Sequence, residues 1–218
     1  MQIKEFIEIV KPFTMTSEER ITKLFESLEY IRINNIEGDL VECGIWKGGN
    51  ILGIMEYVYH HKMENRKIWL YDTFSGMTEP DENDIDFENN KARDVLDSNS
   101  FYECKSPLDE VNQNLKLSKL PNDRLVYIIG DICETLNYEN NTPKKISLLR
   151  LDTDWYQSTK KEMEVLYPKL VNNGVLIVDD YGHWKGSKKA VDEYLIDNKI
   201  QYKMEKIDYT GIKIIKNS

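Results

Sequence analysis

Two segments constrain this chain more than any others: Ile146-Ser147-Leu148-Leu149-Arg150-Leu151-Asp152 and Gly174-Val175-Leu176-Ile177-Val178-Asp179-Asp180. Each is short, apolar, rich in branched residues, and stops on acid. A nearly continuous apolar run of that length suits a parallel strand covered on both faces. In an open α/β sheet, ligands bind outside the carboxyl ends of the strands. Asp152, Asp179 and Asp180 are therefore expected to converge at a cleft, with no Lys or Arg next to them in sequence. Like charges held that close raise each other's pKa unless a cation sits among them. A hard divalent ion with oxygen ligands, Mg²⁺ first, resolves the repulsion. One strand-end acid is more often a helix N-cap or a solvated loop charge; three at two strand ends favour the metal.

Around these segments the pattern alternates. Ser17-Glu18-Glu19-Arg20 followed by Ile21, Leu24, Phe25, Leu28 and Ile31 predicts a helix over 17–35. Strands are predicted at Asp39–Gly44, Lys67–Asp72 and Arg124–Ile129, with helices through Ile51–Val58, Leu108–Leu120, Ser158–Leu170 and Ser187–Asp197. Gln201–Lys206 and Gly211–Lys216 suit an antiparallel hairpin. The sum is a mostly parallel, doubly wound α/β sheet closed by that hairpin. A single domain over 1–218 is expected, with residues 1–37 as an N-terminal helical cap. Between 79 and 106 the periodicity fails and Asp, Asn and Glu crowd in, which predicts a lid or mobile substrate insert.

A net charge of −9 argues against a nucleic-acid groove or an anionic membrane surface as partner. Cys43, Cys104 and Cys133 are odd in number and lack metal spacing, so free thiols in a reducing compartment are expected. With no signal-like or membrane-spanning run, the expected location is the cytoplasm.

Val41-Glu42-Cys43-Gly44-Ile45-Trp46-Lys47-Gly48-Gly49 reads as strand, glycine turn and helix start. It is neither the dinucleotide fingerprint nor a P-loop. Its value rises with Asp72, an acid ending the next strand and suited to ribose hydroxyls. Asp131 ends the strand after that, where an adenine edge fits.

Five ordered blocks carry a resemblance. Thr14-Met15-Thr16-Ser17 and Gly38–Gly49 come first, then Tyr71-Asp72-Thr73-Phe74-Ser75-Gly76-Met77. Leu149–Thr159, which holds Asp152-Thr153-Asp154-Trp155-Tyr156-Gln157-Ser158, and Val178-Asp179-Asp180-Tyr181-Gly182 follow. From about Thr14 to the C-terminus the chain resembles the macrocin O-methyltransferase family. The resemblance implies a Rossmann-like class I methyltransferase fold, S-adenosylmethionine, and Mg²⁺ or Mn²⁺, acting on a small-molecule sugar hydroxyl. It implies Asp152, Asp179 and Asp180 as metal ligands and Asp154 as general base. Thr14, Met15, Glu42, Cys43, Gly44, Asp72, Thr73, Ser75, Asp131, Ile132 and Asp152 would line the cofactor. Thr153 stands where glycine is more usual and Trp155 where a smaller aliphatic residue is, so the acceptor pocket is expected to differ. A homo-oligomer, most simply a dimer, is expected.

Other readings compete. Asp152-Thr153-Asp154 is also the DxD of a glycosyltransferase, which explains neither the glycine turn nor Asp179-Asp180. A catechol-type acceptor and a catalytically silent Rossmann-like binding subunit complete the set. His183, after the acid pair, is the second candidate for proton acceptor or a pocket wall. His60 and His61 end a predicted helix and suit its dipole.

Overall fold

The apolar runs become the strands of one sheet: β1 (Asp39–Cys43), β2 (Ile68–Asp72), β3 (Leu125–Ile129), β4 (Ile146–Leu151), β5 (Leu170–Val178), β6 (Met204–Lys206) and β7 (Ile212–Ile215). They belong to a computed structural model that describes residues 1–63, 65–98 and 104–217. The strand order is β3-β2-β1-β4-β5-β7-β6. The first five strands are parallel, and β7 returns antiparallel to β5 with β6 outside it. The doubly wound sheet and its terminal hairpin are thus as the pattern predicts. The helices are α1 (Ile3–Val10), α2 (Glu18–Ile33), α3 (Gly49–His60), α4 (Ala92–Ser98), α5 (Leu108–Leu115), α6 (Ile132–Thr135), α7 (Tyr156–Val165) and α8 (Lys185–Asp197).

Strand alternation explains the two layers. On β1 and β4, Leu40 and Leu148 join the apolar core formed with α1, α2, α3 and α5. Val41 and Leu149, one position on, join the core against α7 and α8. The N-terminal cap holds α1 as well as α2, and α1 lies hard against α3. A Cβ on Gly53 would come within 2.4 Å of the Val10 side chain.

Several boundaries move. The predicted helix over 108–120 stops at Leu115, and the one over 158–170 runs from Tyr156 to Val165. That earlier start has a cause: the Asp84 Oδ1 accepts from the Tyr156 N–H at 2.7 Å, satisfying a helix-end donor. The expected mobile insert is anchored over residues 79–98. Its aspartates accept from backbone N–H groups, which replaces helical or sheet bonding and explains the lost periodicity. The Lys185 N–H donates to the Ile85 carbonyl at 2.8 Å, and the Trp155 indole N–H to the Thr78 carbonyl at 2.8 Å. Ala92, Trp155 and Trp184 close a small buried cluster beneath it. Residues 99–103 of the expected insert lie outside the described residues.

Candidate active site

The chain winds outward from β1 to β3, then returns to place β4 on the other side of β1. Their carboxyl ends meet at that reversal, where an open sheet leaves its crevice. The Asp152 N–H donates to the Cys43 carbonyl at 2.9 Å. Gly44 follows at φ +81°, and a Cβ there would lie 2.0 Å from the Asp152 carbonyl oxygen. Only glycine allows the two turns to touch in this way. Above them opens a cavity of about 400 Å³, within the size range of small-molecule sites.

Asp152, Asp154 and Asp180 converge on this cavity, each with a carboxylate oxygen within 4.8 Å of the others'. Asp154 holds a left-handed backbone at φ +68°, a conformation non-glycine residues adopt rarely and at some cost. Its Oδ1 is buried with no hydrogen-bond partner. Burial, then the neighbouring carboxylates, push Asp154 well above the usual carboxylate range; burial, opposed by Arg150 and reinforced by Asp179 and Asp180, does the same to Asp152. Asp180 is raised too, by burial first and Asp179 second. An all-oxygen donor set with one orphaned atom and excess negative charge suits a hard divalent cation.

Two features differ from the sequence expectation. Cations do sit beside these acids. Arg150, two residues before Asp152, shares its strand face, and its register partner on β1 is Glu42. Its guanidinium reaches Glu42 at 2.6 Å and Asp152 at 2.8 Å, and also binds Asp179. Arg20, from α2, binds Asp179 as well and holds Asp208 at 2.7 Å. Asp179, expected among the metal ligands, therefore has one oxygen on each guanidinium. Asp154 takes its place in the convergent group.

The same cavity is lined by Thr14, Met15, Gly44, Asp72, Thr73, Asp131 and Ile132, residues expected to line the cofactor. Asp72 accepts from the Ile45 and Trp46 N–H groups at 2.6 and 3.2 Å and from the Phe74 N–H at 2.6 Å. One carboxylate thus fixes two turns in which Trp46 and Phe74 have positive φ. Three donors against about four lone-pair sites leave it capacity for a hydroxyl. Burial raises its pKa against those bonds. Asp131 caps α6 by accepting from the Cys133 N–H at 2.8 Å. Glu42, Cys43 and Ser75 are not among the lining residues. Glu42 is turned to Arg150 and Asn50, Cys43 is sealed in the core against α7 and α8, and Ser75 is exposed.

His183 also lines the cavity, with its ring edge-on to Phe87 and Trp184, at 5.4 and 4.8 Å between centroids. Trp155 and Trp184, aromatics that follow the acids in sequence, line the cavity, as do Thr16, Arg20, Asn50, Ser158 and Tyr209, which the sequence did not single out as site residues. Tyr209 belongs to the β6–β7 turn, which nothing in the pattern joins to Arg20 and the acids. His60 and His61 end α3 as predicted, away from the cavity.

Comparison with known proteins decides the family. The description Macrocin-O-methyltransferase (TylF) matches residues 10–216. The chain belongs to the macrocin O-methyltransferase family. It is 30% identical over 199 residues to demethyldecarbamoylnovobiocin O-methyltransferase of Streptomyces niveus, covering 91% of this chain and 74% of that one. It is 29% identical over 201 residues to 8-demethyl-8-(2,3-dimethoxy-alpha-L-rhamnosyl)-tetracenomycin-C 4'-O-methyltransferase of Streptomyces olivaceus, with the same coverage. The solved structure of the O-methyltransferase NovP superposes with a TM-score of 0.83 at 28% identity, covering 94% of this chain and 83% of that one. As a macrocin O-methyltransferase family member, the chain has the class I methyltransferase fold and is an S-adenosylmethionine-dependent O-methyltransferase. The glycosyltransferase and silent-subunit readings fall with that. Among the described residues no helix is long and apolar enough to cross a membrane, and the three cysteines are free.

Proposed function

We propose that this enzyme methylates a sugar hydroxyl with the help of Mg²⁺ or Mn²⁺. The observation that carries the reading is the convergence of Asp152, Asp154 and Asp180, with one buried orphaned oxygen, opposite the glycine turn of the same cavity. The rhamnosyl acceptor in the name of the Streptomyces olivaceus relative supports the sugar. The Lys-, Asn- and Ile-rich composition suggests an origin unlike the antibiotic producers, and favours a surface-polysaccharide sugar, free or nucleotide-activated.

In this reading the adenosyl group lies along Gly44, Asp72 and Asp131, with its ribose on the spare acceptor capacity of Asp72. The six aspartates lining the cavity attract the sulfonium. Asp152 and Asp180, with one oxygen of Asp154, hold the cation. A divalent ion lowers the pKa of a hydroxyl that binds it and fixes its direction. The second oxygen of Asp154 would take the proton of the acceptor hydroxyl, and S-adenosylmethionine, when bound, would supply the methyl group. His183 and the aromatic wall bound the acceptor end. Arg150 and Arg20 hold Asp179 in place.

The test separates ligand from base. Acceptor glycosides, both methyl rhamnosides and nucleotide-activated sugars, are incubated with S-adenosylmethionine and scored by mass. Activity should vanish in EDTA and return with Mg²⁺. Asp154→Asn, whose amide oxygen can still reach the cation, should lower kcat by roughly 10²–10⁴-fold and stay low at saturating Mg²⁺, whereas Asp180→Asn should be partly restored by it. Full activity in excess EDTA removes the metal and makes His183 the leading base.

A further inference from the structure

Glu162 on α7 is fully buried and takes no part in the chemistry described above. Its Oε1 accepts from the Thr153 hydroxyl at 2.9 Å. Its Oε2 is buried with no hydrogen-bond partner. Thr153 lies between Asp152 and Asp154. This acidic turn touches the turn that begins at Gly44 through the Asp152 carbonyl, and Glu162 holds the acidic turn by its middle residue.

A carboxyl group costs several kcal/mol to bury charged and uncompensated. Arg150 and Arg20 are spent on other acids, and no cation contributes to the environment of Glu162. Burial therefore pushes its pKa up to about 8 against the Thr153 hydrogen bond. The protonated group adds no negative charge to a centre that already has too much. A leucine there would serve the packing equally well. The polar contact is what distinguishes this residue.

We propose that Glu162 is a positioning residue that fixes the acidic turn at Asp152–Asp154 through Thr153, and so sets the metal carboxylates relative to one another. The inference rests on the metal reading given under Proposed function. Buried groups that orient metal ligands typically contribute 10–100-fold to metal affinity.

The full-length chain is titrated with Mn²⁺, followed by electron paramagnetic resonance, and with S-adenosylhomocysteine by calorimetry. Glu162→Ala and Thr153→Ala should weaken Mn²⁺ binding roughly 10-fold and leave S-adenosylhomocysteine affinity within about 2-fold. Glu162→Gln, whose amide oxygen still accepts from Thr153, should bind Mn²⁺ like the wild type. A folded Glu162→Ala protein with wild-type Mn²⁺ affinity overturns the inference alone, and so does a Glu162→Gln protein as weak as Glu162→Ala. If Glu162→Ala does not fold, unchanged Mn²⁺ affinity in Thr153→Ala overturns it. A wild-type chain that binds no Mn²⁺ overturns the metal reading, and the inference with it.

Discussion

Arg150 serves three acids at once. Glu42, Asp152 and Asp179 all depend on one guanidinium that is 2% exposed. Even so, burial raises Glu42 to about 6, outweighing the attraction of Arg150. Breaking a buried ion pair by removing one partner costs about 3–5 kcal/mol. Arg150→Met keeps the side-chain length, strands Glu42 and Asp152 and leaves Asp179 with Arg20 alone, so urea midpoints should show a loss at or above that range. Glu42→Gln in the same chain should recover part of it, because one stranded charge is gone. A loss under about 1 kcal/mol, the scale of an exposed pair, would mean that water reaches the centre. Arg150 was hidden in the sequence because it sits inside an apolar run whose pattern speaks for burial. Its partners are invisible in any local window: Glu42 lies 108 residues away in the chain, and Arg20 reaches Asp179 across 159. Asp152 and Asp180 were legible because each ends a strand, whereas Asp154 came from the family resemblance.

At the scale of elements, the segment before α4 is a wall fastened to two helix starts. Asp84 accepts from the first N–H of α7, and the Ile85 carbonyl accepts from the first N–H of α8. Asp84 is 2% exposed, and burial raises its pKa to about 6. Asp84→Ala removes the partner of that α7 N–H and should cost about 0.5–2 kcal/mol, as for a lost N-cap. It should also open residues 79–98 to limited proteolysis while leaving S-adenosylhomocysteine affinity unchanged. Cleavage at the wild-type rate would mean that Trp155 and Trp184 hold the segment without Asp84. The strands were readable because parallel strands buried on both faces leave long apolar runs. The wall was not, because its order comes from side chains bonding to their own backbone, which sequence periodicity cannot register. The start of α7 was missed for the same reason, since its cap comes from 72 residues away.

The whole molecule concentrates carboxyl groups whose folded pKa lies above the unfolded value. Burial raises Glu42 and Asp84 to about 6 and Glu162 to about 8. Burial and the neighbouring acids raise Asp154 and Asp180, and burial opposed by Arg150 raises Asp152. An acid with a raised folded pKa gives stability that is complete below its unfolded pKa, about 4. That stability is lost as pH rises through the folded value, because the unfolded chain then releases the proton more readily. His61, lowered by burial, acts the other way over the bottom of the range, but it is one partly exposed group. Glu29, Asp81, Asp86, Glu205 and Asp208 are lowered, so their stability is lost as pH falls below about 4, outside this window. The EDTA-treated protein should therefore lose thermal stability from about pH 6 to pH 8.5. A divalent cation binds the deprotonated carboxylates of the native state and not the unfolded chain. Saturating Mg²⁺ should raise the Tm at every pH in this range, and by more at pH 8 than at pH 6. Glu162→Gln should make the metal-free profile shallower throughout, from about pH 6 up to about pH 8. Scanning calorimetry across that range decides it. A metal-free Tm that rises with pH would mean that the acids are charged and compensated without metal. A Tm raised by Mg²⁺ equally at pH 6 and pH 8 would mean that the ion binds outside the Asp152, Asp154 and Asp180 cluster.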